Sequence, residues 1–188
     1  MPVINDISGL NPIPVWAIVA PDTVEGVQRA LLKTDRPVSI GGGHFSMGGH
    51  TASPDSLHID LRNLNRVLHF SPSEQVVRVQ AGVRWGDLQK FLDAHDLSVQ
   101  IMQTYANFTV GGSLSVNVHG RYIGAGPLVI SVRSISVVLA DGSRQEASRT
   151  QHPELFWGCI GGYGGLGIIV EAELELATNV RVERSTRK

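Results

Sequence analysis

A single cysteine, Cys159, stands among 188 residues, which excludes an intramolecular disulfide framework and fits a chain made in a reducing compartment. Excess charge is equally scarce: 16 Lys and Arg against 17 Asp and Glu leave a net charge of −1 and a pI near 6.6, and the basic residues are scattered. That removes the electrostatic footprint of a nucleic-acid binder, so any anion held here is held by local geometry. No apolar run approaches membrane-spanning length, and Met1 to Val19 lacks the basic-then-apolar pattern of a secretory leader. A cytoplasmic location is the expectation. Repeats and low-complexity tracts are also missing, and 42% hydrophobic residues suffice for the core of one ordinary domain or of two small lobes.

Glycine, by contrast, is plentiful and grouped. Twelve of the 21 glycines fall in three clusters: Gly41-Gly42-Gly43 with Gly48-Gly49, Gly111-Gly112, and Gly161-Gly162-Tyr163-Gly164-Gly165-Leu166-Gly167. Clustered glycine lets backbone approach a ligand closely and aim N–H groups at phosphate without charged side chains. An extended, phosphate-containing cofactor is the first candidate ligand.

Along the chain, Val15 to Val19 reads as a short strand, followed by an Asp22-x-x-Glu25 capping pattern and a helix with Val24, Val27 and Leu31 on one face. Pro37 ends the helix, and Val38-Ser39-Ile40 forms a strand running into the first glycine cluster, a βαβ start. Leu57 to Leu61 alternates at period two, which predicts a third strand with one buried face. Ser71-Pro72-Ser73 marks the expected division between lobes. Beyond it come a strand at Val76 to Gln80, a helix carrying Trp85, Leu88 and Leu92, a hairpin from Val132–Leu139 through Asp141-Gly142 into Arg144–Ala147, and a short helix opened by His152-Pro153-Glu154. The last strand, Ile168 to Leu176, sets Val170, Ala172, Leu174 and Leu176 on one face against Glu171, Glu173 and Glu175. The tail Arg181 to Lys188 is polar and expected to fray. The fold class is α+β: a small α/β lobe of about residues 1–72, then a larger lobe of about 73–180 with a mixed or antiparallel sheet and flanking helices.

Gly162 to Gly167 spells G-x-G-x-x-G, yet a dinucleotide fingerprint needs a strand before it and a helix after it. Here the order is helix then strand, so Rossmann-type NAD binding is rejected, leaving either a turn or a backbone approach to a cofactor. His44 and His50 lack further ligands for a metal site, and His58 reads as a surface or rim residue. Gly43 to Gly48 has one residue too many for a nucleophile elbow and no evident acid partner. Cys159, among Phe156, Trp157 and Ile160, reads as a small buried hydrophobe.

Taken in order, these segments resemble the FAD-binding domain of the vanillyl-alcohol oxidase/p-cresol methylhydroxylase (PCMH-type) flavoproteins. The resemblance covers nearly the whole of residues 1–188 and rests on the Gly-Gly-Gly-His loop, Asp60-Leu61-x-x-Leu64-Asn65, Val79-Gln80-Ala81-Gly82-Val83, Thr109-Val110-Gly111-Gly112, His119-Gly120, Leu139-Ala140-Asp141-Gly142 and Leu155-Phe156-Trp157. It implies FAD held between two lobes. Ile40 and the loop Gly41, Gly42, Gly43, His44, Phe45 and Ser46, with Gly49, resemble the pyrophosphate-binding stretch. Thr104, Thr109, Gly111, Gly112, Ser115, Val116, Val118 and His119 resemble the segment along the diphosphate and isoalloxazine, with His119 a candidate flavin-proximal residue, and Ile169 resembles the position whose main chain meets the adenine end. His44 resembles the histidine that bonds covalently to the flavin 8α carbon in oxidases similar to aldonolactone and alditol oxidases. Other members carry no such bond, and Phe45 stands where many relatives have Ser, so covalent and non-covalent FAD both remain open.

The resemblance implies an FAD-dependent oxidoreductase that passes a hydride from an alcohol, sugar or lactone-type small molecule to flavin N5. The base and substrate pocket of such enzymes lie largely in a C-terminal domain that nothing in this sequence resembles. A fragment of a longer oxidoreductase, or a subunit needing a partner, is therefore the expectation. A non-catalytic flavin-binding module and a flavin reductase of the enolpyruvyl-UDP-sugar type are the alternatives.

Overall fold

The computed structural model describes residues 1–180 and Ser185, so the expectation for the tail falls outside the described residues. Two short strands, β1 (Val3–Ile4) and β2 (Ile13–Pro14), pair antiparallel at the start of the chain. Then β3 (Ala17–Val19), α1 (Val24–Leu32) and β4 (Val38–Gly41) make the βαβ unit. Thr23 caps α1, its hydroxyl oxygen accepting the Gly26 N–H at 3.1 Å. The cap thus lies one residue beyond the expected Asp22, because Thr23 is the last residue with extended backbone.

The strand β5 (Leu57–Asp60) inserts between β3 and β4, giving a parallel three-stranded sheet in the order β3-β5-β4. A central parallel strand is covered on both faces, and all four residues of β5 are buried. His58 is therefore an interior residue with no solvent exposure, not the rim residue that period-two alternation predicted.

The remaining strands build one larger sheet. They are β6 (Val67–Ser71), β7 (Val76–Gln80), β8 (Leu97–Val99), β9 (Val132–Val138), β10 (Arg144–Ser148) and β11 (Ile168–Thr178), in the order β10-β9-β11-β7-β6 with β8 on the far end of β11. Pro72 to Gln75 is the turn between β6 and β7, so the change of sheet falls before Val67 rather than at Ser71-Pro72-Ser73. Sequence reading misses β6 because it is an exposed edge strand with no continuous buried face.

Helices α2 (Trp85–Asp93), α3 (Val110–Ser115) and α4 (Pro153–Cys159) contribute Leu88, Leu92, Leu114 and Phe156 to the larger core, together with Val77, Val79, Ile135 and Leu174 of the sheet. Trp85 is wholly buried, and its indole N–H donates to Ser113 Oγ at 2.8 Å, which donates in turn to Gln103 Oε1 at 2.9 Å. Cys159 is buried as expected, and burial pushes its thiol pKa up.

A bulge in β11 between Ile169 and Glu171 reverses the side-chain alternation. Ile169 joins Ala172, Leu174 and Leu176 in the larger core, while Val170 faces a second cluster with Val24, Val27, Leu57 and Ile59. This corrects the expectation that Val170 shares a face with Ala172. The same bulge is how one strand serves both cores.

Candidate functional site

Strand β4 ends at Gly41 and hands the chain to Gly42–Ser46, which lies across the first turn of α3. A Cβ on Gly41 would strike Nε2 of His58 and lie 2.7 Å from Nε2 of His44, and one on Gly42 would lie 2.5 Å from Thr109 Oγ1. Without side chains there, the loop settles directly onto the histidine pair and Thr109. Among the described residues, the N–H groups of Gly43, His44, Phe45 and Ser46 meet no protein acceptor. The loop is thus a run of free donors supported from beneath.

The opposite wall is α3. Thr109 Oγ1 caps it by accepting the Gly112 N–H at 3.2 Å, and the Gly111 N–H donates to the Ala81 carbonyl at 2.8 Å. The turn between α4 and β11 closes a third side, tied to α3 by Gly161 N–H to Leu114 O at 2.9 Å and Tyr163 N–H to Ser115 O at 3.0 Å. The helix-before, strand-after order expected around Gly162–Gly167 is the order observed.

These walls border an open cleft of about 220 Å³. Ile40, Gly41, Gly42, Gly43, His44, Phe45, Ser46, Thr109, Gly111, Gly112, Ser115, Val116 and Ile169 all line it. Gly49, Thr104, Val118 and His119 do not. Gly49 packs on Ile13, Thr104 is exposed, Val118 packs against the larger core, and His119 is exposed with Nδ1 3.0 Å from the Gly120 carbonyl oxygen. Sequence reasoning missed Thr51, Phe108 and Ser113, whose types carry no special signal, His50, which it had weighed only as a metal ligand, and Leu61, Ala81 and Tyr163, which sit in segments it had singled out. Gly164 and Gly167 of the rejected fingerprint line the cleft as well.

Among the described residues, no Asp, Glu, Lys or Arg lines the cleft, and no cluster of His, Cys, Asp or Glu could hold a metal. The titratable lining residues near the loop are His44 and His50. His44 and His58 stand edge to face with ring centroids 5.6 Å apart. His58 Nδ1 is paired with Ser39 Oγ at 2.9 Å, while Nε2 of both rings and Oγ1 of Thr51 are buried without a partner. Burial, reinforced by His44, pushes His58 down to about 4. Burial and then the Arg62 charge lower His44 too, so both imidazoles are neutral at neutral pH. Burial alone would raise the Asp60 carboxyl, but the Arg62 fork, at 2.9 Å and 2.5 Å, holds it below the ordinary range. Phe45 leans over Gly43 and packs on Phe108 and Tyr105, with centroids 4.8 Å and 5.3 Å away.

A cleft walled by free amides, small residues and aromatic rings suits a long ligand with an anionic middle and flat ends. Residues 15–148 match the family model of an FAD binding domain. The chain belongs to the PCMH-type FAD-binding family. Its cofactor is FAD. The chain is 32% identical to decaprenylphosphoryl-beta-D-ribose oxidase of Mycolicibacterium smegmatis over 81% of its own length and 34% of the relative's. It is 28% identical to L-gulonolactone oxidase of Bos taurus, over 88% of this chain and 38% of that protein. It is 27% identical to cytokinin dehydrogenase 2 of Arabidopsis thaliana, over 92% and 35%. This PCMH-type chain thus spans about a third of the length of the curated relatives it matches. No helix among the described residues is long and apolar enough to cross a membrane.

Proposed function

We propose that FAD lies extended in this cleft between two lobes, one built on the three-stranded sheet and one on the six-stranded sheet. The protein to which this chain contributes is an oxidoreductase that passes a hydride from an alcohol, sugar or lactone-type donor to flavin N5. The observation that carries the reading is the acceptor-free run Gly43–Ser46, laid over α3 in a cleft that no Asp, Glu, Lys or Arg lines. Diphosphate oxygens buried there would need donors, and the free amides of the loop would supply them. When bound, FAD supplies the two-electron acceptor, while the chain binds it, orients it and excludes water. The catalytic base and the contacts to the small-molecule substrate come from polypeptide beyond these 188 residues or from a partner subunit.

His44 is the candidate for a covalent link. The residue lines the cleft and its ring is held neutral; Nε2 lies buried and unpartnered beneath Gly41, so the link needs the ring to turn toward the cleft. The link is an N–C bond from a His44 ring nitrogen to the flavin 8α carbon. It releases the imidazole N–H proton and one 8α C–H proton, and the two electrons and two protons leave to dioxygen as hydrogen peroxide. Reconstitution with FAD followed by acid precipitation tests both parts. The wild type is expected to turn yellow and to keep its colour in the pellet, whereas His44→Ala binds flavin but gives it all to the supernatant. A colourless wild-type protein overturns the FAD assignment, and a wild type that loses its colour to the supernatant overturns the link alone.

A further inference from the structure

None of residues 5–11 lines the cleft, yet this segment holds both ends of the loop that does. The Ile7 N–H donates to the His44 carbonyl at 2.9 Å, and the Gly49 N–H donates to Asp6 Oδ2 at 3.3 Å. One residue of the stretch between those two points is conformationally costly: His44 sits at φ +60°, where a side chain is disfavoured, whereas Gly48 and Gly49, at +83° and +79°, take that region freely. Such geometry persists only where surrounding structure fixes it.

The segment is built to do that. Asp6 is buried, with 6% of its surface exposed, and its carboxylate is a hub: Oδ1 accepts the Ser8 N–H at 2.9 Å and the Ser8 hydroxyl, and Oδ2 accepts Asn11 Nδ2 at 3.0 Å besides Gly49. These donors, the Ser8 hydroxyl first, hold the carboxyl at about 2, so it is fully charged at neutral pH. Asn5 Oδ1 accepts the Asn11 N–H at 3.1 Å and closes the segment on itself. The β1–β2 pair and the bond from Val15 N–H to Pro2 O, at 2.9 Å, fasten its base. Ile13 packs beneath Gly49, where an added Cβ would lie 3.1 Å from Cδ1.

We infer that residues 5–11 form a strap that fixes the His44–Gly49 loop in its binding shape, and that Asp6 is a positioning residue for the FAD site. The inference rests on the FAD reading above for one of its three readouts. The free amides keep their directions only while His44 keeps its left-handed backbone. Release of the strap lets that residue relax to an ordinary conformation and turns the neighbouring N–H groups away. Affinity is then lost through preorganisation, with no contact to the ligand removed.

Asp6→Ala tests this in three measurements. Amide hydrogen exchange of the cofactor-free protein is expected to rise about tenfold or more at Ile7, whose N–H donates to the His44 carbonyl, and to stay unchanged in β7, β9 and β11. The FAD dissociation constant, measured without oxygen so that no covalent link forms, by quenching of flavin fluorescence, is expected to rise about tenfold or more, while the melting temperature without FAD falls by only a few degrees. Asp6→Asn keeps one acceptor oxygen and is expected to fall between wild type and alanine. If Asp6→Ala does not fold, Asn11→Ala removes one donor to the same carboxylate and is expected to show a smaller change in the same direction. Unchanged exchange at Ile7 overturns the strap, and so does exchange rising equally in both sheets. A wild type that binds no FAD would sink the FAD reading, while the exchange measurement still decides the strap.

Discussion

An imidazole shut away from water is neutral in the folded protein and free to take a proton in the unfolded one. His58, with its folded pKa at about 4, is in that position. The unfolded chain binds the proton between pH 6.5 and 4 while the folded chain does not, so this stabilisation is complete above pH 6.5 and is lost as pH falls toward 4. The shift corresponds to at most about 3 kcal/mol over that range. His44 acts with the same sign, and Asp60 and Arg62 are the other charged groups facing the pair. Urea unfolding at a series of pH values is expected to show stability falling steeply below pH 6.5, and His58→Phe should flatten much of that slope. Retention of the full slope in the variant would remove His58 from this role. The Ser39 hydroxyl left by the substitution keeps Ser56 Oγ at 2.8 Å, so the variant has few unmet polar groups beyond those already present.

At the scale of the element, α3 sets two principles against each other at Gly111. Helix propensity favours alanine over glycine by up to about 1 kcal/mol. Packing opposes it, since a Cβ there would lie 2.7 Å from Ala81 Cβ and 3.1 Å from the Ala81 carbonyl oxygen, and Gly111 itself donates to that carbonyl. Backbone cannot swing aside as a long side chain can, and overpacking of this kind costs about 1 to 3 kcal/mol. Gly111→Ala is therefore expected to lower the melting temperature of the cofactor-free protein and to weaken FAD binding, because α3 moves off Ala81 and widens the cleft. A rise in melting temperature would show that propensity wins.

Gly111 also shows how far the sequence could be read. Its glycine pair marked a close approach, but the helix itself was invisible, being six residues long with two glycines. Segments with strong periodicity, such as α2, the β9–β10 hairpin and α4, were legible within a residue or two. Three features were not. Strand β6 is a mostly exposed edge, His58 owes its burial to an insertion between two strands formed earlier in the chain, and the β11 bulge changes parity without any residue type that announces it. In the cleft the same division holds: glycine-bounded segments were found, and ordinary side chains brought in by tertiary packing, Thr51 and Phe108, were not.

The whole molecule is arranged so that the two sheets share a core. Val138, Ile168, Val170 and Ala81 of the larger sheet region pack with Val27, Leu57 and Ile59 of the smaller one, and Gln28 Nε2 donates to the Gly142 carbonyl at 2.6 Å between them. Continuity of that core predicts one cooperative unfolding transition rather than two. The cleft lies over the same junction, with walls drawn from residues 40–51, 108–116 and 163–169. A ligand seated there touches both sheet regions and binds only when both are folded. Without oxygen, where the covalent link lacks its oxidant, FAD at about 100 times its dissociation constant should stabilise the fold by about 2.7 kcal/mol. For a domain of this size that is a rise of roughly 5 to 10 °C in a single melting transition. Calorimetry of the cofactor-free protein with increasing FAD is the measurement. A melting point that climbs with the logarithm of FAD concentration while the transition stays single supports a ligand bridging both regions. A rise confined to one of two separable transitions would instead place FAD on one sheet alone.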